Sequence, residues 1–190
     1  MQIDLNLKEA QCGDWKVEKF TVSDKQANYY NLYEAAHHGR FIESGIYWRL
    51  RHKGEVVMSN TPAEIRDHIG FIYQAKGNVL IAGLGLGMVL KALLEKDDVT
   101  HITVVEKSED VIKLVSPFYQ DERVTIIHED IFNYNPKEVF NYGWFDIWTY
   151  ICSDNYDEMK RLNRKFARSV KDKGHWCYYE CKQAYKNDKN

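Results

Sequence analysis

The sequence is short of everything that would take it out of the ordinary globular class. Three prolines in 190 residues, with no Pro/Gly/Ser tract and no internal repeat, leave no linker, so one compact domain with an appendage is expected. The four cysteines, Cys12, Cys152, Cys177 and Cys181, form no C-x-x-C pair, which points to reduced packing thiols rather than a disulfide frame, and no metal site is expected. The N-terminus has neither a basic start nor an apolar stretch of signal-peptide length. The longest apolar run, Val79 to Leu86, falls far below the roughly 20 residues of a membrane span, so a cytoplasmic chain without membrane contact is expected. A formal charge of -2 supplies no global field to hold nucleic acid. What the chain has in excess is aromatic residues.

Its first third alternates and turns. Trp15 to Val22, W-K-V-E-K-F-T-V, has the period of a half-buried strand, and Ser23 caps a helix running past Tyr29, Tyr30, Leu32 and Tyr33 toward His37, stopped by Gly39. Ile46 to Leu50 and Glu55 to Met58 flank R-H-K-G as a β-hairpin. Thr61, Pro62 and Glu64 then read as N-cap, first-turn proline and capping-box acid of a helix from Pro62 to about Ala75.

From Gly77 strands and helices alternate. Strands are expected at N-V-L-I-A-G, at Ile102 to Glu106, at Val124 to His128, within Val139 to Phe145, and at His175 to Glu180. The helices between them are M-V-L-K-A-L-L-E-K, Glu109 to Val115 ahead of Pro117, and one within Asp157 to Val170. Right-handed crossovers make this an α/β, Rossmann-like, doubly wound and mostly parallel sheet of about five strands in the order 3-2-1-4-5. It would occupy residues 61–190, after an N-terminal strand, helix and hairpin appendage over 1–60. Ligands of such sheets bind at the carboxyl ends of the strands beside the switch point, which here means near Gly83, Glu106, Asp130 and Asp146.

The sharpest motif is V-L-I-A-G-L-G-L-G-M, with Gly83, Gly85 and Gly87 between strand and helix. Glycine suits a tight turn that a ligand approaches more closely than a Cβ permits; the competing reading is a turn that binds nothing. A dinucleotide fingerprint would need a small residue at 88, and Met88 stands there, which weakens a nicotinamide reading. Glu106 closes the next strand, where a carboxylate can accept both hydroxyls of a ribose.

V-L-I-A-G-L-G-L-G-M-V-L-K-A-L, V-V-E-K-S-E-D-V-I, D-E-R-V-T-I-I-H-E-D and F-D-I-W together resemble the class I S-adenosylmethionine-dependent methyltransferases, from about Gly45 to Glu180. Within them the likeness is to the spermidine-synthase-like branch and to short methyltransferase-like proteins often encoded by phages, which would place the chain in a host cytoplasm. The resemblance implies S-adenosylmethionine as cofactor. Gly83, Leu84, Gly85, Gly87 and Met88 would form its turn, Glu106 would hold its ribose, Lys107 would also belong to the cofactor-binding set, and Asp130 with the Ile131 N–H would read its adenine; Glu129 is the competing acid. Asp146 in W-F-D-I-W matches the branch's general base, though a helix-capping role is equally open, and the D-S/T-D pattern of spermidine synthases is absent. His68 falls near a histidine of the same branch and shares a helical stripe with Ile65, Ile69 and Ile72, which also fits a core histidine. Trp144 and Phe145 are read as core packing, with contact to a sulfonium or adenine as the alternative. Methyl transfer to an undetermined small or macromolecular acceptor is the leading function, with aminopropyl transfer and non-catalytic nucleoside binding behind it. The N/D-P-P-Y/F/W motif of DNA amino-methyltransferases is missing.

Lys160, Arg161, Arg164, Lys165, Arg168 and Lys171 would share one face of the last helix, opposite Met159, Leu162, Phe166 and Val170. A solvated outer face is the first reading and nucleic-acid contact the second. Few residues remain after the fifth strand, so the sheet edge would be open to pairing in a homo-oligomer, as would the N-terminal hairpin.

Overall fold

The computed structural model describes residues 3–37, 39–149 and 152–172. An antiparallel sheet in the order β1-β2-β3-β4 is built from β1 (Ala10–Cys12), β2 (Trp15–Val22), β3 (Gly45–His52) and β4 (Glu55–Ser59). Between β2 and β3 lies α1 (Asp24–Ala36), started by the full capping box of Ser23 and Gln26. The hairpin joining β3 to β4 turns on Lys53 (φ 51°) and Gly54 (φ 88°), the two successive positive φ values of a tight two-residue turn.

The second sheet is parallel, with β5 (Gly77–Ala82), β6 (Val99–Glu106), β7 (Val124–His128), β8 (Phe140–Phe145) and β9 (Val170–Asp172) in the order β7-β6-β5-β8-β9. This is the 3-2-1-4-5 arrangement expected from the alternation. The crossovers carry α3 (Met88–Leu94), α4 (Glu109–Val115) and α5 (Tyr156–Lys165), while α2 (Pro62–Gln74) leads into β5. Strand β5 is buried on both faces: Val79 and Ile81 join one apolar cluster with the N-terminal sheet, α2, α3 and α4, and Leu80 and Ala82 join another with Phe145, Leu162 and Phe166. That two-sided burial is why its sequence is a continuous apolar run rather than an alternating one. Among the described residues no helix is long and apolar enough to cross a membrane.

Several local expectations are corrected. Thr61 makes no side-chain cap; Glu64 instead accepts the Ser59 N–H and Oγ–H, each at 2.8 Å, so the acid of α2 anchors to the end of β4. The stretch from Ile3 to Leu7, with Ile3, Leu5 and Leu7 all buried, and strand β1 make the N-terminal part larger than a hairpin, a strand and a helix. Helix α5 ends at Lys165 with Phe166 as its C-cap, and β9 starts at Val170, so Arg168 and Lys171 lie outside the helix and the six basic residues do not share one helical face. Within what remains, Lys165 donates to the Phe132 carbonyl and Asn135 Oδ1, and Arg161 lies over the Phe132 ring. The strand expected at 175–180, with Cys177, Cys181 and the open edge beyond it, lies outside the described residues; the fifth position in the sheet belongs to β9.

Candidate active site

The carboxyl ends of β5, β6, β7 and β8 open into one cleft of about 1230 Å³. Single small-molecule sites usually occupy about 300 to 1,000 Å³, so the space suits two reactants. Gly83, Leu84, Gly85, Met88, Glu106, Lys107, Asp130, Ile131, Asp146 and His68 all line it; of the site residues named from sequence, Gly87 alone does not.

The glycine turn is as tight as expected but is packed largely by the protein itself. Gly83 has φ 93°, and a Cβ there would stand 2.5 Å from the Asp146 carbonyl oxygen, so glycine is required for β5 and β8 to end side by side. Gly87 has φ 72° and is covered by the ring of buried Tyr119, whose hydroxyl donates to the Leu86 carbonyl at 2.8 Å. The Met58 thioether sits over Gly85 and accepts the Leu86 N–H at 3.3 Å. The N-terminal sheet therefore walls the cleft through β4, a contribution no local pattern could announce.

Beside the turn the acids are anchored. Glu106 Oε2 accepts the Leu84 N–H and Oε1 the Ser108 N–H, each at 2.7 Å, which ties the carboxylate to the turn and leaves each oxygen a second lone pair. Asp130 Oδ1 accepts the Phe132 N–H at 2.9 Å, and Oδ2 meets the Lys107 ammonium at 2.8 Å. That ammonium, more than the Phe132 amide, holds the Asp130 carboxyl below the usual carboxylate range against a smaller opposing push from burial. Ile131, a residue only 4% exposed, follows this anchored acid and lines the cleft with it.

The other half of the cleft is set by α2 and β8. Its spacing puts Glu64, Asp67, His68 and Phe71 on one helical stripe, and Arg40 holds Asp67 through two hydrogen bonds of 3.1 and 2.7 Å. His68 Nε2 lies 3.7 Å from Asp146 Oδ2, too far for a hydrogen bond. Burial pushes the His68 ring down to about 4, so it is neutral at pH 7. Burial, followed by the Glu64 and Asp67 carboxylates, pushes Asp146 up to about 6. Trp144 stands edge-on to His68 and packs on Phe71, whereas Phe145 points the other way into the core against Phe166. The acids at 64 and 67 stand at i, i+3 on α2, Glu64 partly buried and Asp67 exposed, and from sequence Glu64 reads only as a cap.

No family model and no curated protein sequence matches the chain. Among solved structures, spermidine synthase from Thermotoga maritima is similar over 97% of this chain and 65% of its own, at 14% identity and a TM-score of 0.52. The fold is that of spermidine synthase. A DhpI complex with S-adenosylhomocysteine is similar over 77% of this chain and 59% of its own, at 16% identity and a TM-score of 0.44. The plantazolicin methyltransferase BpumL, also in complex with S-adenosylhomocysteine, is similar over 56% of this chain and 39% of its own, at 15% identity and a TM-score of 0.42. The chain thus spans less than two thirds of each of these proteins. The resemblance read from the glycine turn and its acids is met at the level of the fold.

Proposed function

We propose that the chain is an S-adenosylmethionine-dependent methyltransferase whose cofactor lies along the glycine turn. The observation that carries this reading is the anchoring of Glu106: two backbone N–H groups orient its carboxylate at the end of β6 while its outer lone pairs stay available to a pair of vicinal hydroxyls. Asp130 and the Ile131 N–H would take the adenine edge, with Leu84 and Ile131 as apolar walls. When bound, the cofactor supplies an activated methyl on a sulfonium. The protein's part is to align the acceptor, exclude water, and receive the acceptor's proton on Asp146, whose raised pKa suits a base working near neutrality.

A second reading, aminopropyl transfer, draws on charge. The basic side chains lining the cleft, Arg40 and Lys107, are each already paired with an acid, and Glu129 and Glu158 add to the carboxylates around them. Such a lining would favour a cofactor that lacks the carboxylate of methionine. Calorimetry with S-adenosylmethionine, its decarboxylated analogue, S-adenosylhomocysteine and NAD separates the readings. The expected result is binding of S-adenosylmethionine but not NAD, weakened at least tenfold by Glu106→Ala, in line with the loss of hydrogen bonds to a charged group. Binding of NAD alone, or unchanged affinity in a folded Glu106→Ala variant, would overturn the assignment; a marked preference for the decarboxylated analogue would move it to aminopropyl transfer.

A further inference from the structure

Helix α1 carries its apolar side outward. At about 100° per residue, Lys25, Tyr29, Leu32, Tyr33 and Ala36 fall within an arc of roughly 100°, and the buried residues of the helix, Ala27 and Glu34, lie on the opposite side. Tyr29 is 81% exposed, Leu32 76%, Tyr33 54% and the flanking Tyr30 41%. Polar contacts hold the helix in place. Its start is fixed by the Ser23 and Gln26 capping box, and Glu34 accepts the Arg40 N–H at 3.1 Å. The Asn31 amide donates to the Ile42 carbonyl and accepts the Ile42 N–H, each at 2.8 Å. The apolar stripe therefore takes no part in the fold of its own chain and is presented on a helix already positioned.

We propose that this face binds the same face of a second copy of the chain, the two α1 helices packing antiparallel about a two-fold axis. The first ground is area. An aromatic side chain presents roughly 150 to 250 Å² and a leucine somewhat less, so at these exposures the four residues offer on the order of 500 Å², more than single apolar residues scattered over a monomer. Two such faces together bury about 1,000 Å², the lower bound of a specific interface, which makes the dimer weak and concentration-dependent.

The second ground is charge and symmetry. From Gln26 to Tyr33 the helix holds no charged residue, so a face laid on its own copy meets no like charge along its middle. A two-fold axis level with Asn31 makes each contact twice and sets Tyr29 against the partner's Tyr33, giving two aromatic pairs. Tyr33 is already fixed for this by stacking on His37 at 4.0 Å. At the ends, Lys25 of each helix comes beside the last turn of the other, where the helix dipole is negative and α1 has no basic residue of its own. A membrane surface fits the face less well, because an interfacial helix lines its polar side with Lys and Arg and α1 has Lys25 alone.

The test is sedimentation velocity of the full chain from low micromolar to submillimolar concentration. The sedimentation coefficient is expected to rise from that of a monomer to that of a dimer. Leu32→Lys, which places a charge at the centre of the contact, should stay monomeric with an unchanged circular dichroism spectrum. Lys25→Glu should weaken the dimer about two- to fivefold, the range of one charge at a helix terminus. Oxidation reads the antiparallel register: Tyr29→Cys mixed with Tyr33→Cys should form an intermolecular disulfide several times faster than either variant alone. A chain monomeric at every concentration, a dimer that survives Leu32→Lys, or faster cross-linking of one variant alone would overturn the proposal, and the cysteine variants decide even if Leu32→Lys does not fold. Monomer throughout, with co-sedimentation on phosphatidylcholine–phosphatidylglycerol vesicles, would overturn it and assign the face to lipid.

Discussion

The two halves of the cleft treat polar groups in opposite ways. Around the glycine turn each acid is anchored, Glu106 by two amides and Asp130 by one amide and an ammonium, and the Asp130 carboxyl is held charged. Around α2 and β8 the two titratable groups are desolvated, so Asp146 and His68 are both pushed toward neutrality, and His68 Nδ1 lacks a partner. Fixed charge suits recognition of a ligand that does not change, and titratable groups under strain suit a proton that must move. The contrast turns the division between cofactor and acceptor into something mutations can separate.

The largest expected effect is on turnover. Asp146→Asn removes the base but leaves the glycine turn and Glu106 untouched, so transfer from S-adenosylmethionine should fall by a hundredfold or more with cofactor affinity unchanged. In the wild type the rate should rise with pH through about 6 and then level off, because Asp146 must be ionised to accept the proton. A pH-independent rate, or loss of cofactor affinity in the Asn variant, would dissolve the division. On the recognition side Asp130→Ala should weaken S-adenosylmethionine by about tenfold with no change in the pH profile, checked by calorimetry and initial rates.

The acceptor half should also show in stability. His68 charges at about 4 when folded and 6.5 ordinarily, so its contribution is present above pH 6.5 and lost as pH falls toward 4. Asp146 runs the other way: its folded value of about 6 lies above the ordinary 3.8, so its contribution is present below 3.8 and lost as pH rises through 6. The windows overlap and the slopes offset. Glu64 and Asp67 on α2 face the pair together with Arg40, and they remain in place when Asp146→Asn removes one side of the balance. Relative to wild type, that variant should lose stability from pH 6.5 down to 4 by up to about 1.4 kcal/mol per pH unit. Urea unfolding across that range measures it, and parallel curves would mean the two groups are not opposed.

Legibility followed the range of the interactions. The βα alternation, the capping box at Ser23, the glycine turn and the positions of Glu106 and Asp130 are set by neighbours in sequence, and each could be read there. What could not be read depends on contacts across the fold. Met58 over Gly85 and Tyr119 over Gly87 fill space that the motif alone assigns to a ligand. Glu64 is a nearer case: it looked like a capping-box acid for Thr61, but Ser59, five residues before it at the end of β4, donates to it instead. The basic helix face failed at Phe166, the C-cap of α5, beyond which Arg168 and Lys171 are no longer helical. In α1 the apolar spacing of Tyr29, Leu32 and Tyr33 would ordinarily mark a buried face, yet these three side chains are exposed and Ala27 and Glu34 are the buried ones.

The smallest expected effect probes how firmly the recognition half is set. Lys107 is 78% exposed at the side chain, and its ammonium shares the Asp130 oxygen that an adenine amine would use, competing with it for position. Exposed ion pairs contribute about 0 to 1 kcal/mol, so displacing this one costs little, but the cost enters every binding event. Lys107→Met keeps most of the stem and frees the oxygen, and should therefore tighten S-adenosylmethionine by up to about fivefold at low salt. Added salt screens the pair in the wild type and should narrow the difference, giving a wild-type affinity that improves with ionic strength relative to the variant. Calorimetry at two salt concentrations reads both. Weaker binding by Lys107→Met would place the ammonium among the groups that hold the nucleoside, and the recognition half would then be completed by the ligand rather than finished before it arrives.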